Sequence, residues 1–310
     1  MEELLSRGFS VRAVYRSSYS NAVHSKALKT LSEQKQCEYD EFFLNEINED
    51  TNWDGAFDYV DVVIHLAARV HVMDETSTNP LEAFRKVNVA GTKKLFELAA
   101  NSKVRRFVFL SSIKVNGEHT VTPFSELDEA KPLDAYGVSK WEAEQVLQDL
   151  FKKVNMGLTI IRPPLVYGFG VRGNFEKMIS VIKAQIPLPL ANINNKRSLI
   201  GIDNLTDVLI FCAMNTKADG QTYLVSDGAD VSTPDLIKAI AIAMDAPVRI
   251  FSCPLFLLEI IAFFTGKTKQ LSRLSQSLQV NSSKIRLELG WVPPNTFLEG
   301  MKRLLKSDKG

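Results

Sequence analysis

Between Tyr59 and Ala68 the chain runs YVDVVIHLAA, a continuous apolar stretch rich in β-branched residues, and after it the apolar positions change their interval. Phe84, Val87, Gly91, Leu95 and Leu98 recur at threes and fours, the spacing of one helix face. The alternation then repeats. RRFVFLSS reads as a second buried strand ending at Ser112, Lys140, Ala143, Leu147 and Leu150 repeat by three and four after Tyr136, and LTIIRPPLVYG supplies the next strand. At the start, Leu4 and Leu5 before Arg7 and Gly8 look like the last turns of a helix stopped at a glycine, and Val11, Ala13 and Tyr15 alternate as a strand does. Strand, helix, strand, helix is the order of an α/β fold with a parallel sheet covered on both faces.

Beyond Gly168 the pattern loosens. Pro187, Pro189 and ANINNKRS mark a loop-rich excursion, and IDNLTDVLIFCAM returns as a helix that Asp203 or Asn204 would cap. VSTPDLIKAIAIAMD offers Thr233 as N-cap with Pro234 at the first helical position, and NSSKIRLELGW ends its helix at Gly290. The division is read near residue 167: residues 1–167 form the main lobe, and 168–310 a smaller mixed lobe from which 201–230 return to the main sheet. CPLFLLEIIAFF, from Cys253 to Phe264, is too short to span a bilayer and contains Glu259. It reads as a buried or interface helix, with a loose membrane-surface contact as the other reading.

Composition narrows the partners. In 310 residues, 45% of them hydrophobic, 37 basic side chains balance 36 acidic ones, so no field favours nucleic acid or an anionic membrane. The expected partner is a small molecule, with no nucleic acid and no membrane. Cys37, Cys212 and Cys253 are odd in number and far apart, which fits a reducing, cytoplasmic compartment and gives no metal-site spacing. Glu2, Glu3 and Arg7 interrupt any apolar run of signal-peptide type.

Chemistry belongs at the carboxyl ends of parallel strands, where loops form the ligand crevice. HLAA closes one strand with the small residues Ala67 and Ala68, Ser111-Ser112 closes the next, and YGVSK opens the following helix. Tyr136 and Lys140 are four apart and share a helix face. A phenol is a poor base at neutral pH, but an ammonium beside it favours phenolate and lowers its pKa toward the working range. Ser112 would donate a hydrogen bond to the same substrate oxygen, so that a proton moves while a hydride leaves or arrives at carbon. Each residue also has a plainer reading: Tyr136 as a helix-start core residue, the serines as a strand exit, Asn88 as a group that satisfies backbone.

The order of motifs decides between them. VIHLAA, VNVAGT, FVFLSS, YGVSKWEAE and IIRPPLVYG in succession resemble the extended short-chain dehydrogenase/reductases of the NAD-dependent epimerase/dehydratase type, across residues 1 to about 295. The resemblance implies a Rossmann-type doubly wound sheet binding NAD, with NADP open, and a smaller substrate lobe. It makes Ser112, Tyr136 and Lys140 the catalytic trio. For the cofactor it implies Arg16, Glu46, Ile47, Leu66, Ala67, Ala68, Asn88 and Pro163 beside Tyr136 and Lys140; Glu46-Ile47 resembles the pair that lies against adenine. Arg197 and Arg273 match positions that hold a sugar nucleotide's diphosphate, and Asn174 resembles a nucleotide-sugar contact. A homodimer is the assembly considered.

Family members open with a strand and a Gly-x-x-Gly-x-x-Gly turn facing the cofactor's pyrophosphate. MEELLSRG matches the end of the helix that follows, so that strand and turn are expected ahead of Met1, through a start site placed late or a true truncation. Arg16 ends the second strand where an acidic residue would hold ribose hydroxyls, which tilts toward a 2′-phosphate, although a solvated loop arginine is the plainer reading. SSIKVNGE lacks the Asp-Glu pair that the family's 4,6-dehydratases carry after the strand serine, which argues against dehydration. One-carbon chemistry is left: 4-epimerisation of a UDP-hexose or UDP-N-acetylhexosamine, as in the bacterial polysaccharide branch that FLSSIKVNGE resembles, or reduction of a UDP-4-keto-6-deoxy sugar. A non-catalytic cofactor-binding fragment is the third reading.

Overall fold

The computed structural model describes residues 1–16, 22–70, 79–171 and 174–306. In chain order the strands are β1 (Val11–Arg16), β2 (Tyr39–Leu44), β3 (Val62–His65), β4 (Arg106–Leu110), β5 (Gly157–Arg162), β6 (Leu165–Tyr167), β7 (Arg197–Gly201), β8 (Gln221–Leu224) and β9 (Asp230–Val231). The helices are α1 (Glu2–Ser6), α2 (Ala22–Lys35), α3 (Pro80–Arg85), α4 (Thr92–Ala100), α5 (Ala135–Phe151), α6 (Asn174–Lys183), α7 (Ile202–Met214), α8 (Thr233–Ala243), α9 (Leu255–Phe264), α10 (Thr268–Ser275), α11 (Ser283–Leu289) and α12 (Phe297–Lys306). Two compact units divide the chain: a first of residues 1–111, 134–160 and 209–222, and a second of 112–133, 161–208 and 223–310.

In the first unit β1 pairs in parallel with β2, and β3 in parallel with β4, Val62 opposite Arg106 and His65 opposite Phe109. The strand order β3-β4-β5-β8 makes the larger sheet, whose last residues of β5 and β8 run on into the second unit. After Arg106, β4 is apolar because both its faces are covered: Phe107, Val108 and Phe109 are fully buried. Its helices bring Leu95, Phe96, Ala99, Ala143 and Leu147 to the same core. Arg106 fixes the chain's return by bonding Asp219 at 2.6 Å and the Ala213 carbonyl at 2.6 Å.

The helix expected through Phe84 to Leu98 forms, but not as one regular helix. α3 starts at Pro80 after the cap Asn79, and Lys86–Gly91 then widen into a π-helical turn before α4. Such a turn carries one residue more than the regular ladder holds, and here it buries Asn88. Gly91 is needed at its end: a Cβ there would meet Ile47 Cγ2 at 2.6 Å.

The second unit packs Tyr167, Phe175, Leu199, Ile237, Ile240, Phe297 and Met301 around a sheet of order β6-β7-β9. LTIIRPPLVYG is two strands rather than one. Pro163 and Pro164 carry no backbone N–H, so β5 and β6 end up in different sheets. The helix read from Thr233 is capped one residue earlier, by Ser232, whose Oγ accepts from the Asp235 N–H, and Thr233 instead donates its hydroxyl to the Leu274 carbonyl. Asp203 and Asn204 lie inside α7, and the Asn204 amide donates to Asp227 at 2.7 Å. Burial pushes the Asp227 carboxyl above its ordinary range, and the Tyr167 hydroxyl donates to it at 2.7 Å. α9 forms as expected, yet only Leu258 and Ala262 of it are buried.

Candidate active site

α5 begins where Asp134 caps it, accepting the Gly137 N–H at 2.7 Å. Tyr136, Lys140 and Glu144 then follow at intervals of four along one face. Lys140 is 2% exposed, and its ammonium stands 4.0 Å from the centre of the Phe109 ring at the end of β4. Glu144, fully buried one turn further, accepts the hydroxyl of Ser111. Tyr136 meets the edge of Phe84 at 6.2 Å.

Asn88 locks this helix to the loop after β3. Its amide donates to the Arg69 carbonyl at 3.0 Å and to Ser139 Oγ at 2.9 Å, while its carbonyl accepts the Arg69 N–H at 2.7 Å. Ser139 passes the contact on to the Tyr136 carbonyl at 2.8 Å. The loop so held carries Leu66, 55% exposed, with Ala67 exposed and Ala68 half-buried.

The electrostatics differ from the sequence expectation. Burial, reinforced by the charge of Asp134, pushes the Tyr136 phenol up to about 12. Burial pulls Lys140 down to about 7 against the opposing pull of Glu144. Desolvation therefore outweighs the mutual assistance of phenol and ammonium, because the chain alone gives the lysine an aromatic face and one carboxylate in place of water. His65, held to Thr92 at 2.9 Å between Phe107 and Phe109, is driven down to about 3 by burial and then by Lys140's charge, so it stays neutral.

The structure brings Tyr136, Lys140, Asn88, Leu66, Ala67, Ala68, Glu46, Ile47 and Arg16 into the first unit, and Ser112, Pro163, Asn174, Arg197 and Arg273 into the second. Ser112 caps the short turn Ile113–Val115 by accepting the Lys114 N–H. Pro163 gives its carbonyl to the Ile113 N–H at 2.9 Å. Asn174 opens α6, with its side chain outside the described residues. Glu46 pairs with Lys86 at 3.3 Å, and exposed Arg16 has no acidic partner among the described residues.

In the second unit Arg197 donates to the carbonyls of Arg273 at 2.8 Å and Gln276 at 3.1 Å, and burial lowers its pKa, with Arg273's charge adding to the shift. Glu118 faces Arg273 at 3.6 Å and Lys114 at 3.4 Å. Three cations around one carboxylate suit a diphosphate. Glu144 and Glu118 were not singled out from sequence, and Ser111 only as part of the strand exit; for Glu144 the signal was available, since YGVSKWEAE sets it four residues past Lys140.

The profile of the NAD dependent epimerase/dehydratase family matches residues 1–226. A Vibrio cholerae protein named UDP-glucose 4-epimerase is 43% identical over 265 residues, which is 84% of this chain and 81% of that protein. An Escherichia coli O157:H7 protein named N-acetyl-alpha-D-glucosaminyl-diphospho-ditrans,octacis-undecaprenol 4-epimerase is 24% identical over 294 residues, covering 90% of this chain and 87% of its own. Among solved structures, UDP-glucuronic acid 4-epimerase from Bacillus cereus in complex with NAD has a TM-score of 0.76 at 18% identity, covering 99% of this chain and 94% of that one, a likeness of fold.

Proposed function

The chain belongs to the NAD-dependent epimerase/dehydratase family, and from that premise we propose that it is a nucleotide-sugar 4-epimerase acting on a UDP-hexose or UDP-N-acetylhexosamine in the making of surface polysaccharide precursors. The observation that carries the reading is the α5 face: a phenol and a buried ammonium one turn apart, with a second carboxylate-backed turn behind them. The Vibrio cholerae relative, by its name, acts on UDP-glucose and supports the substrate class.

The residues present fit NAD at its nicotinamide half. Lys140 is buried beside Phe109 with Glu144 as the acidic group that favours its charged form, and an ammonium there suits the hydroxyls of a ribose, while the small residues Ala67, exposed, and Ala68, half-buried, leave room for a flat ring. NAD, when bound, would supply the acceptor for the hydride of C4 and the donor for its return.

Tyr136 takes the proton of the sugar's O4 hydroxyl as that hydride leaves and gives it back as the hydride returns to the opposite face, so atoms and charge balance over the cycle. Lys140 favours the phenolate that this demands. Glu144 favours the charged form of Lys140 by opposing the desolvation that pulls its pKa down. Ser112 donates to O4 and holds the oxygen whose charge develops. Arg197 and Arg273 clamp the diphosphate, with Glu118 giving way to it.

A 4-ketoreductase of a UDP-4-keto-6-deoxy sugar would use the same trio, and exposed Arg16 at the end of β1, suited to a 2′-phosphate, is the observation on its side. The test is to give the protein UDP-galactose or UDP-N-acetylgalactosamine with catalytic NAD and follow C4 by NMR. Conversion without net cofactor change supports the epimerase; no conversion, together with oxidation of NADPH when the keto sugar is supplied, favours the reductase.

A further inference from the structure

α9 is apolar nearly all round, yet only the stripe Leu258–Ala262 packs into the second unit. On the face opposite that stripe lie Phe256, Ile260, Phe263 and Phe264, which are 59%, 50%, 72% and 82% exposed, with no polar group among them. Leu255, Leu257, Ile261 and the preceding Phe251 widen the exposed area. A contiguous patch of this kind exceeds what single surface apolar residues produce, and it marks a docking face.

The charges around it identify the occupant. From Pro247 to Lys269 the chain carries Arg249, Lys267 and Lys269 against the single acid Glu259. Arg249, Lys267 and Lys269 are exposed and have no acidic partner among the described residues. Two copies facing each other about a two-fold axis through this patch would bring like charges together, and on the outward side of α9 the exposed Glu259, at the edge of the patch, is the one group able to hydrogen-bond across it. An anionic bilayer surface answers both features: its interior takes the phenylalanines and its headgroups take the lysines. The helix has ten residues, and no helix among the described residues is long and apolar enough to cross a membrane, so the contact lies in the interface plane.

We propose that α9, with the lysines that follow it, docks the second unit on an anionic phospholipid surface. The proposal stands apart from the reaction at α5. It takes up the membrane-surface contact that the sequence leaves as the second reading of this segment; a balanced total charge says nothing about one cationic rim beside one apolar helix.

The experiment is co-sedimentation of the full chain with vesicles containing about one-third phosphatidylglycerol, beside vesicles of phosphatidylcholine alone. Protein should pellet with the anionic vesicles, Phe263→Glu with Phe264→Glu should weaken binding roughly ten-fold or more, and Lys267→Glu with Lys269→Glu should remove the preference for anionic lipid. Circular dichroism reports whether each variant is folded. A single Phe264→Trp, which adds no charge, gives a second reading: its fluorescence should shift to shorter wavelength on mixing with anionic vesicles. Wild-type protein left in the supernatant, equal pelleting of the phenylalanine variant, or an unshifted tryptophan would overturn the proposal. So would a dimer in lipid-free light scattering that the same phenylalanine variant returns to monomer, since a second copy would then occupy the face.

Discussion

Lys140 is where stability and chemistry oppose each other most directly. Its folded pKa lies near 7, below its ordinary value of 10.5, so the unfolded chain binds the extra proton between these limits. From this group alone, stability is lowest below pH 7 and rises with pH toward 10, by at most about 1.4 kcal/mol per pH unit. Lys140→Met should therefore raise the denaturant midpoint at neutral pH and flatten that slope, while turnover falls by about two orders of magnitude or more. Tyr136→Phe removes only the ionisable oxygen and should cost turnover about a hundred-fold or more with the melting temperature nearly unchanged. Near-normal turnover in that variant would return Tyr136 to the role of a core residue. Glu144→Gln keeps a partner for Ser111 but removes the charge that supports Lys140. The alkaline limb of the pH–rate profile should move to lower pH as the lysine's pKa falls further, with turnover at neutral pH reduced about ten-fold; an unmoved profile would make Glu144 a packing residue only.

Among the elements, the π turn between α3 and α4 connects packing to the site. It buries Asn88 against Arg69 and Ser139, and Gly91 at its end lies against the backbone of Ile47 and Asn48 at 3.1 and 3.2 Å from where a Cβ would stand. Gly91→Ala should cost about 1 to 3 kcal/mol by overpacking, read from urea unfolding, and should disturb the loop that carries Ile47. A cost under about half a kcal/mol would mean the loop yields freely. The strand and helix order through α5 was legible because burial on one or two faces writes a period into the sequence. Other features left no such mark. A π turn changes hydrogen-bond spacing without changing residue type, and the choice of Ser232 over Thr233 as cap turns on one residue of register. Pro163 and Pro164 break LTIIRPPLVYG, but the apolar residues on both sides carry the signature of one buried strand. α9 shows a further limit: its sequence reports that it is apolar, not what covers it.

For the whole molecule, 37 basic against 36 acidic side chains leave no general attraction for a sugar nucleotide, so recognition of its diphosphate is local. Lys114 and Arg273 stand around Glu118 in the second unit, with Arg197 beside them. If that carboxylate must yield to a diphosphate, Glu118→Gln should tighten UDP binding several-fold in calorimetry, whereas Arg197→Ala should weaken it roughly ten-fold or more. Unchanged or weaker binding in the glutamine variant would place Glu118 outside the ligand's path. That Tyr136 and Lys140 belong together was legible from their spacing, and the arginines from resemblance alone; that Glu118 joins them was not, since no local pattern links residues 118 and 273. The central claim is that a hydride leaves C4 and returns to the same carbon. UDP-galactose deuterated at C4, incubated with the protein and unlabelled NAD, measures this directly. The account predicts UDP-glucose that keeps its deuterium at C4 with no reduced cofactor accumulating; product without the label at C4, or no product at all while a 4-keto sugar is reduced at the expense of NADPH, would contradict it.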